Sequence, residues 1–309
     1  MVADIDAALE DAVSAKRAGA DLLEFRIDPL AEEVDLTVEA FAAMIGRLTA
    51  AAPLPSIVTC RLAAEGGRFV GDASGAIDRR VGWYRELMRY VSLKGNAGAG
   101  PRYIDIEGQS LGASADMAAF AASLNGTQTG VILSSHDFVG RPNDLARRLL
   151  SIHDPRGTVA KIAYRARSLR DSLELLDTPA QMDRPTIALG MGEFGLMSRV
   201  LAPKFGGFLT FAALAAGLGT APGQPTIDEL FNLYRFRSIG PATKVYGVLG
   251  WPVSHSKSPA FHNSAFRAAG HDGVYLPLPV LATEDSETTY ASFKATVLEL
   301  VHHPRLSFS

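Results

Sequence analysis

Up to about residue 235, short β-rich runs alternate with helical stretches, and no other feature limits the fold as much. The runs are "DLLEFRID", "PSIVTCRL", "RYIDIEG", "GVILSSHDF", "TVAKIAYRA", "PTIALGMG" and "GGFLTFAAL". Between them lie helical stretches such as "AIDRRVGWYRELMRYVSL", "NDLARRLLSI" and "SLRDSLELLD". Strict strand–helix alternation builds a parallel sheet with right-handed crossovers, either doubly wound or closed into a barrel. A spacing of about 30 residues per unit favours the (β/α)8 barrel, an α/β fold. The runs supply seven strands, and the chain opens on the helical "DIDAALEDAVSAKRAGA". An eighth strand is therefore expected before Met1. A barrel lacking this first strand would leave unpaired edges and lose stability.

The first run sets a problem. Leu23, Phe25 and Ile27 point one way and Glu24, Arg26 and Asp28 the other. A strand between two helices is normally buried on both faces, so the ionisable face needs compensation. The barrel offers one, because reactive side chains collect at the C-terminal ends of its strands. Those ends carry Glu24, Arg26 and Asp28; Arg61 with Glu65 beyond it; Asp105 and Glu107; His136; Lys161; Arg199 in the helix after "GMG"; and Thr220 and Gln224 in "TAPGQ".

Of the seven lysines, only Lys161 lies inside an apolar strand run. Desolvation and nearby arginines would favour the neutral amine that Schiff-base formation needs. The alternative is a structural lysine paired to Asp105 or Glu107. His136, one strand away, could be a structural histidine or a general base acting on the carbon beside an imine. Arg26, Arg61 and Arg199 suit an anionic substrate, most simply a carboxylate, while pairing with Glu24, Glu65 or Glu107 is the structural alternative.

Other functions find little support. A net charge of −3 without a basic stripe argues against nucleic-acid or anionic-membrane partners. Cys60 is the sole cysteine, which fits a reducing cytoplasm, and "MVADIDAALED" does not read as a signal peptide. The longest apolar run, "FLTFAALAAGLG", is too short to span a bilayer. No Cys/His cluster suggests a metal, and His302 and His303 are read as part of a tail. A homodimer is an open expectation. "GMGEFG" matches a dinucleotide fingerprint, but the acidic residue wanted about 20 positions later is missing from "FAALAAGLGT". A tight turn feeding the helix with Ser198 and Arg199 is the better reading.

In order along the chain, "ADLLEFRID", "TCRLAAEGG", "YIDIE", "SSHDF", "AKIAY", "GMGEFGLMSRVLAPKFGG" and "TAPGQ" resemble type I 3-dehydroquinate dehydratase of the shikimate pathway. The resemblance implies an imine between Lys161 and the C3 ketone of 3-dehydroquinate, with His136 removing a C2 proton and helping to expel the C1 hydroxyl. Syn elimination and imine hydrolysis would then give 3-dehydroshikimate without a cofactor. It also implies that Arg199 holds the carboxylate, that Glu65 orients His136, and that Glu24, Arg26, Arg61, Thr220 and Gln224 bind or order the substrate. The family usually has serine where Thr220 stands. A small substrate-contacting residue at the end of the family's first strand has no counterpart here.

From about Ile239 the pattern restarts, giving expected domains of 1–238 and 239–309. The segment "YGVLGWPVSHSKSPAFHNSAF" resembles the opening of shikimate dehydrogenase, in which Ser256 and Ser258 would bind shikimate; a Ser/Pro turn capping the next helix is the structural alternative. Only about 65 residues remain after this restart, few for an independent core. The catalytic lysine–aspartate pair and the nucleotide domain have no counterpart, so neither NADP binding nor dehydrogenase activity is expected. The rival readings are another Schiff-base barrel enzyme, such as a class I aldolase, and an inactive protein that binds a quinate-like ligand.

Overall fold

The computed structural model describes residues 1–33, 36–70, 76–93 and 100–306. Six strands form one sheet in chain order: β1 (Leu23–Arg26), β2 (Ser56–Thr59), β3 (Tyr103–Glu107), β4 (Gly130–Asp137), β5 (Val159–Arg165) and β6 (Thr186–Met191). The pairs from β1 to β4 are parallel, and their register sets Arg26, Thr59, Asp105 and Ile132 in one row. Helices intervene as the alternation predicts. Their ends carry local signals: Asp4 caps Ile5–Ala18 by accepting from the Ala7 N–H, and Gly19 closes it with φ 102°. Thr37 and Ser114 cap Val38–Ala51 and Ala115–Ser123 in the same way.

The seventh expected strand is a correction. "GGFLTFAAL" forms no ladder; Phe208 donates to the Thr186 carbonyl, and Ala213 makes an isolated bridge with Thr226. Gly206 turns the chain with φ 78°, and Phe208 is left 40% exposed, so the apolar run folds as a loop rather than a strand. The α/β, barrel-type parallel sheet stands, with six strands among the described residues. Ahead of the first helix, Val2 donates to the Arg26 carbonyl along the other edge of β1.

The chain divides into two compact units: Met1–Asp137 with Asn143–Ile162, and Phe138–Pro142 with Ala163–Ser309. In the first, the apolar residues of the strands, including Val58, Ile104, Ile106, Leu133 and Ile162, are buried, as are Phe41, Trp83, Tyr84 and Phe120 of the helices. The Phe41 and Trp83 rings lie 4.7 Å apart.

In the second unit, β7 (Lys244–Gly250) and β8 (Gly273–Pro279) form a parallel pair joined by the helix Ser258–Ala268. Val245, Val274, Leu276 and Leu278 share one core with Leu169, Leu173, Met197 and Phe205. That shared core explains how so short a segment is buried. His303 corrects the reading of the last residues as a mere tail: its Nε2 lies 3.1 Å from Asp177 Oδ2, and the Arg305 guanidinium sits 4.5 Å above the Phe205 ring.

Candidate active site

Period-two alternation places Glu24 and Arg26 of β1, Thr59 of β2, Asp105 and Glu107 of β3, Ser134 and His136 of β4, and Lys161 of β5 on one sheet face. Arg61 follows β2 in the same phase. This polar face belongs to the first unit, and nearly all of it is buried.

Lys161 is 5% exposed. Its Nζ donates to Asp105 Oδ2 at 2.9 Å and lies 3.5 Å from Glu24 Oε1, which also accepts from Thr59 Oγ1. The nearest charges are thus carboxylates rather than the arginines expected from sequence. Burial alone would raise the Asp105 carboxyl, but Arg61 and then Lys161 hold it well below the usual carboxylate range. Ser134 Oγ donates to Asp105 Oδ1 at 2.6 Å, and Arg61 Nη2 to the same oxygen at 2.8 Å.

His136 lies on β4, which neighbours β5 in the sheet. Its Nδ1 is 3.0 Å from Glu65 Oε2, and its backbone N–H donates to that same oxygen at 2.9 Å. Burial, reinforced by the Arg61 and Lys161 charges, pushes the imidazole well below its ordinary value, so the ring is neutral near pH 7. Burial and repulsion from Glu107 push the Glu65 carboxyl up to about 8. At neutral pH the contact is therefore a hydrogen bond between two uncharged groups. Because Glu65 Oε2 already accepts one N–H, the consistent arrangement puts a proton on Nδ1 and leaves the Nε2 lone pair free.

The buried arginines of this unit, Arg26, Arg61 and Arg80, are engaged. Arg61 donates from Nη1 to Glu107 Oε1 at 3.0 Å and to Ser134 Oγ at 2.7 Å. Arg80 Nη1 reaches Glu107 Oε2 at 2.6 Å, and Arg26 grips both oxygens of Asp28 at 2.7 and 3.0 Å. The backbone N–H of Arg68 also donates to Asp28 Oδ2. Arg80 lies outside every motif quoted from the sequence, and Ser134, though it opens "SSHDF", is given no role there. Ser134 could have been found by the same alternation that selects His136, whereas Arg80 lies in a helix with no strand-end signal.

In the second unit, Arg199 has equally little exposure but different company. Its Nε donates to the Gly190 carbonyl at 2.9 Å and its Nη1 to the Phe211 carbonyl at 3.4 Å; no carboxylate pairs with it among the described residues. Burial pushes its guanidinium down to about 10. The "GMGEFG" turn places it: an added Cβ on Gly195 would lie 2.3 Å from the Gly190 carbonyl carbon, and Gly192 has φ 79°. These glycines allow a close approach of turn and strand end. In the "TAPGQ" loop, Gln224 Oε1 accepts from the Thr220 N–H at 3.1 Å, with Thr220 Oγ1 at 3.4 Å. In the β7–β8 segment, Ser256 Oγ accepts from the Ser258 N–H at the helix start. No group of three metal-ligating side chains, and no helix long and apolar enough to cross a membrane, occurs among the described residues.

Residues 1–241 match the family model described as type I 3-dehydroquinase, and residues 248–299 that of the shikimate dehydrogenase substrate binding domain. The chloroplastic bifunctional 3-dehydroquinate dehydratase/shikimate dehydrogenase of Arabidopsis thaliana is 37% identical over 307 residues, which is 96% of this chain. The chain spans about half of that relative's length, 47%. A 3-dehydroquinate dehydratase of Methanosarcina acetivorans is 33% identical, covering 72% of this chain and 87% of that protein. The solved dehydroquinate dehydratase and shikimate dehydrogenase from S. pombe AroM superposes with TM-score 0.57 at 26% identity, covering 96% of this chain and 53% of that one.

Proposed function

The chain belongs to the type I 3-dehydroquinase family, a family of lyases, and on that premise we propose that it dehydrates 3-dehydroquinate through an imine on Lys161. The observation that carries this reading is a buried lysine amine between two carboxylates, one strand from a neutral imidazole anchored by Glu65. The Lys161 amine adds to the C3 ketone and water leaves, giving a protonated imine. Nε2 of His136 then takes a C2 proton while the C–H electron pair moves into the imine. The C1 hydroxyl departs as water with the proton returned by His136, and hydrolysis releases 3-dehydroshikimate and the free amine. The iminium is the electron sink, so the reaction calls for no cofactor.

The family resemblance assigns the substrate carboxylate to Arg199, whose guanidinium donates to the Gly190 and Phe211 carbonyls. Glu24, Arg26, Arg61, Thr220 and Gln224 bind or order the substrate in this proposal. We keep 1–238 as the dehydratase region and 239–309 as a shikimate-binding segment carrying Ser256 and Ser258, and assign it no hydride transfer. The single cysteine supports a cytoplasmic enzyme.

Borohydride reduction in the presence of 3-dehydroquinate, followed by peptide mass spectrometry, tests the reading. A reduced adduct on Lys161 supports it. An adduct formed only with aldol substrates favours an aldolase, and tight ligand binding without any adduct favours a binding protein.

A further inference from the structure

We propose that Asp105, offered by the sequence only as a structural partner of Lys161, is the positioning residue and fixed counter-ion of the Lys161 nitrogen. The proposal rests on the imine reading above. Asp105 is 1% exposed, and its two oxygens play different parts. Oδ2 meets Lys161 Nζ at 2.9 Å, while Oδ1 accepts from Arg61 Nη2 at 2.8 Å and Ser134 Oγ at 2.6 Å. Two donors on one oxygen fix the carboxylate plane, so the second oxygen is aimed at the amine. The charged or titratable groups around the nitrogen include, among the described residues, Asp105 on β3, Glu24 on β1 at 3.5 Å, His136 on β4, and Arg61 beyond β2.

Among the buried groups, Arg26 is matched by Asp28, while Arg61 and Arg80 share Glu107. Asp105 is shared by Arg61 and Lys161, and Glu24 Oε1 lies 3.5 Å from the lysine nitrogen. A cation at position 161 therefore completes a balanced set, and a protonated imine keeps that charge where the ammonium had it. A preorganised anion beside the iminium stabilises the electron sink without reorganisation at the moment of reaction.

The test is amine-specific acylation of Lys161 followed across pH by mass spectrometry, in parallel with kcat, KM and borohydride trapping. In Asp105→Asn the labelling midpoint should fall by about one pH unit or more, because an anion favouring the ammonium is gone. Turnover should fall about 10²-fold or more with a smaller change in KM, while Lys161 remains trappable. Asp105→Glu keeps the charge and should keep the midpoint within about half a unit while lowering kcat. Should Asp105→Asn fail to fold, Ser134→Ala decides: losing its donor concentrates charge on Asp105, so the midpoint should rise. An unmoved midpoint in the folded Asn variant, or in Ser134→Ala, overturns the proposal. Failure of the wild-type protein to trap substrate overturns the imine reading instead, and the labelling midpoint still reports on Asp105.

Discussion

Arg61 and Arg199 are both 2% exposed, yet their surroundings are opposite. Burial would depress the Arg61 guanidinium, but Asp105, Glu107 and Glu65 raise it above its ordinary value. Among the described residues Arg199 donates to carbonyl oxygens, with no carboxylate paired to it, and burial lowers it to about 10. The first arginine is half of an internal ion-pair lattice; the second is a desolvated cation with no counter-charge among the described residues. A buried arginine is thus informative about ligands chiefly when its counter-charge is missing.

The largest expected effect breaks the completed side. Arg61→Ala leaves Asp105 and Glu107 short of a cation in the first unit and should cost about 3–5 kcal/mol of stability, read by urea denaturation. Arg199→Ala should do the reverse, changing stability by less than about 1 kcal/mol while lowering kcat/KM for 3-dehydroquinate roughly 10²-fold. Equal stability losses in the two variants would erase the distinction.

Glu65 sharpens the comparison from inside the lattice, because Arg61 stands 4.0 Å from it and 3.0 Å from Glu107. Its folded value near 8 lies above the ordinary 4.5, so it contributes stability fully below about 4.5 and loses it as pH rises through about 8. The stability advantage of the wild type over Glu65→Gln should therefore shrink by about 2 kcal/mol between about pH 5.5 and 7.5. His136 works the other way: its depressed value makes it cost stability as pH falls below about 6.5. The smallest effect belongs to Thr220→Ser, which retains the hydroxyl near Gln224; KM should change less than about threefold.

The site was legible in the sequence where side-chain period and chemistry coincide. Glu24, Arg26, Asp105, Glu107, His136 and Lys161 share a phase on successive strands, so one face could be assembled on paper. It was hidden where a partner comes from elsewhere. Arg80 reaches Glu107 from the helix Ala76–Leu93, and the nearest charges to Lys161 proved to be carboxylates. The run "GGFLTFAAL" looked like a strand because it is apolar; it forms no ladder with β6, the edge strand it follows, because apolar composition alone does not specify pairing.

By itself the sequence determined the α/β alternation, the six strands that formed, the face carrying the ionisable groups, and the close-packed glycine turn before Arg199. Tertiary structure decided which charge met which. It set Asp105 against the Lys161 amine, sent Arg61 to the lattice, aimed Arg199 at backbone carbonyls, and buried the β7–β8 pair in a core shared with Leu169 and Phe205. The reason is range: period and turn chemistry act over a few residues, whereas the free energy of a buried charge depends on every group within several ångströms, whatever its place in the chain.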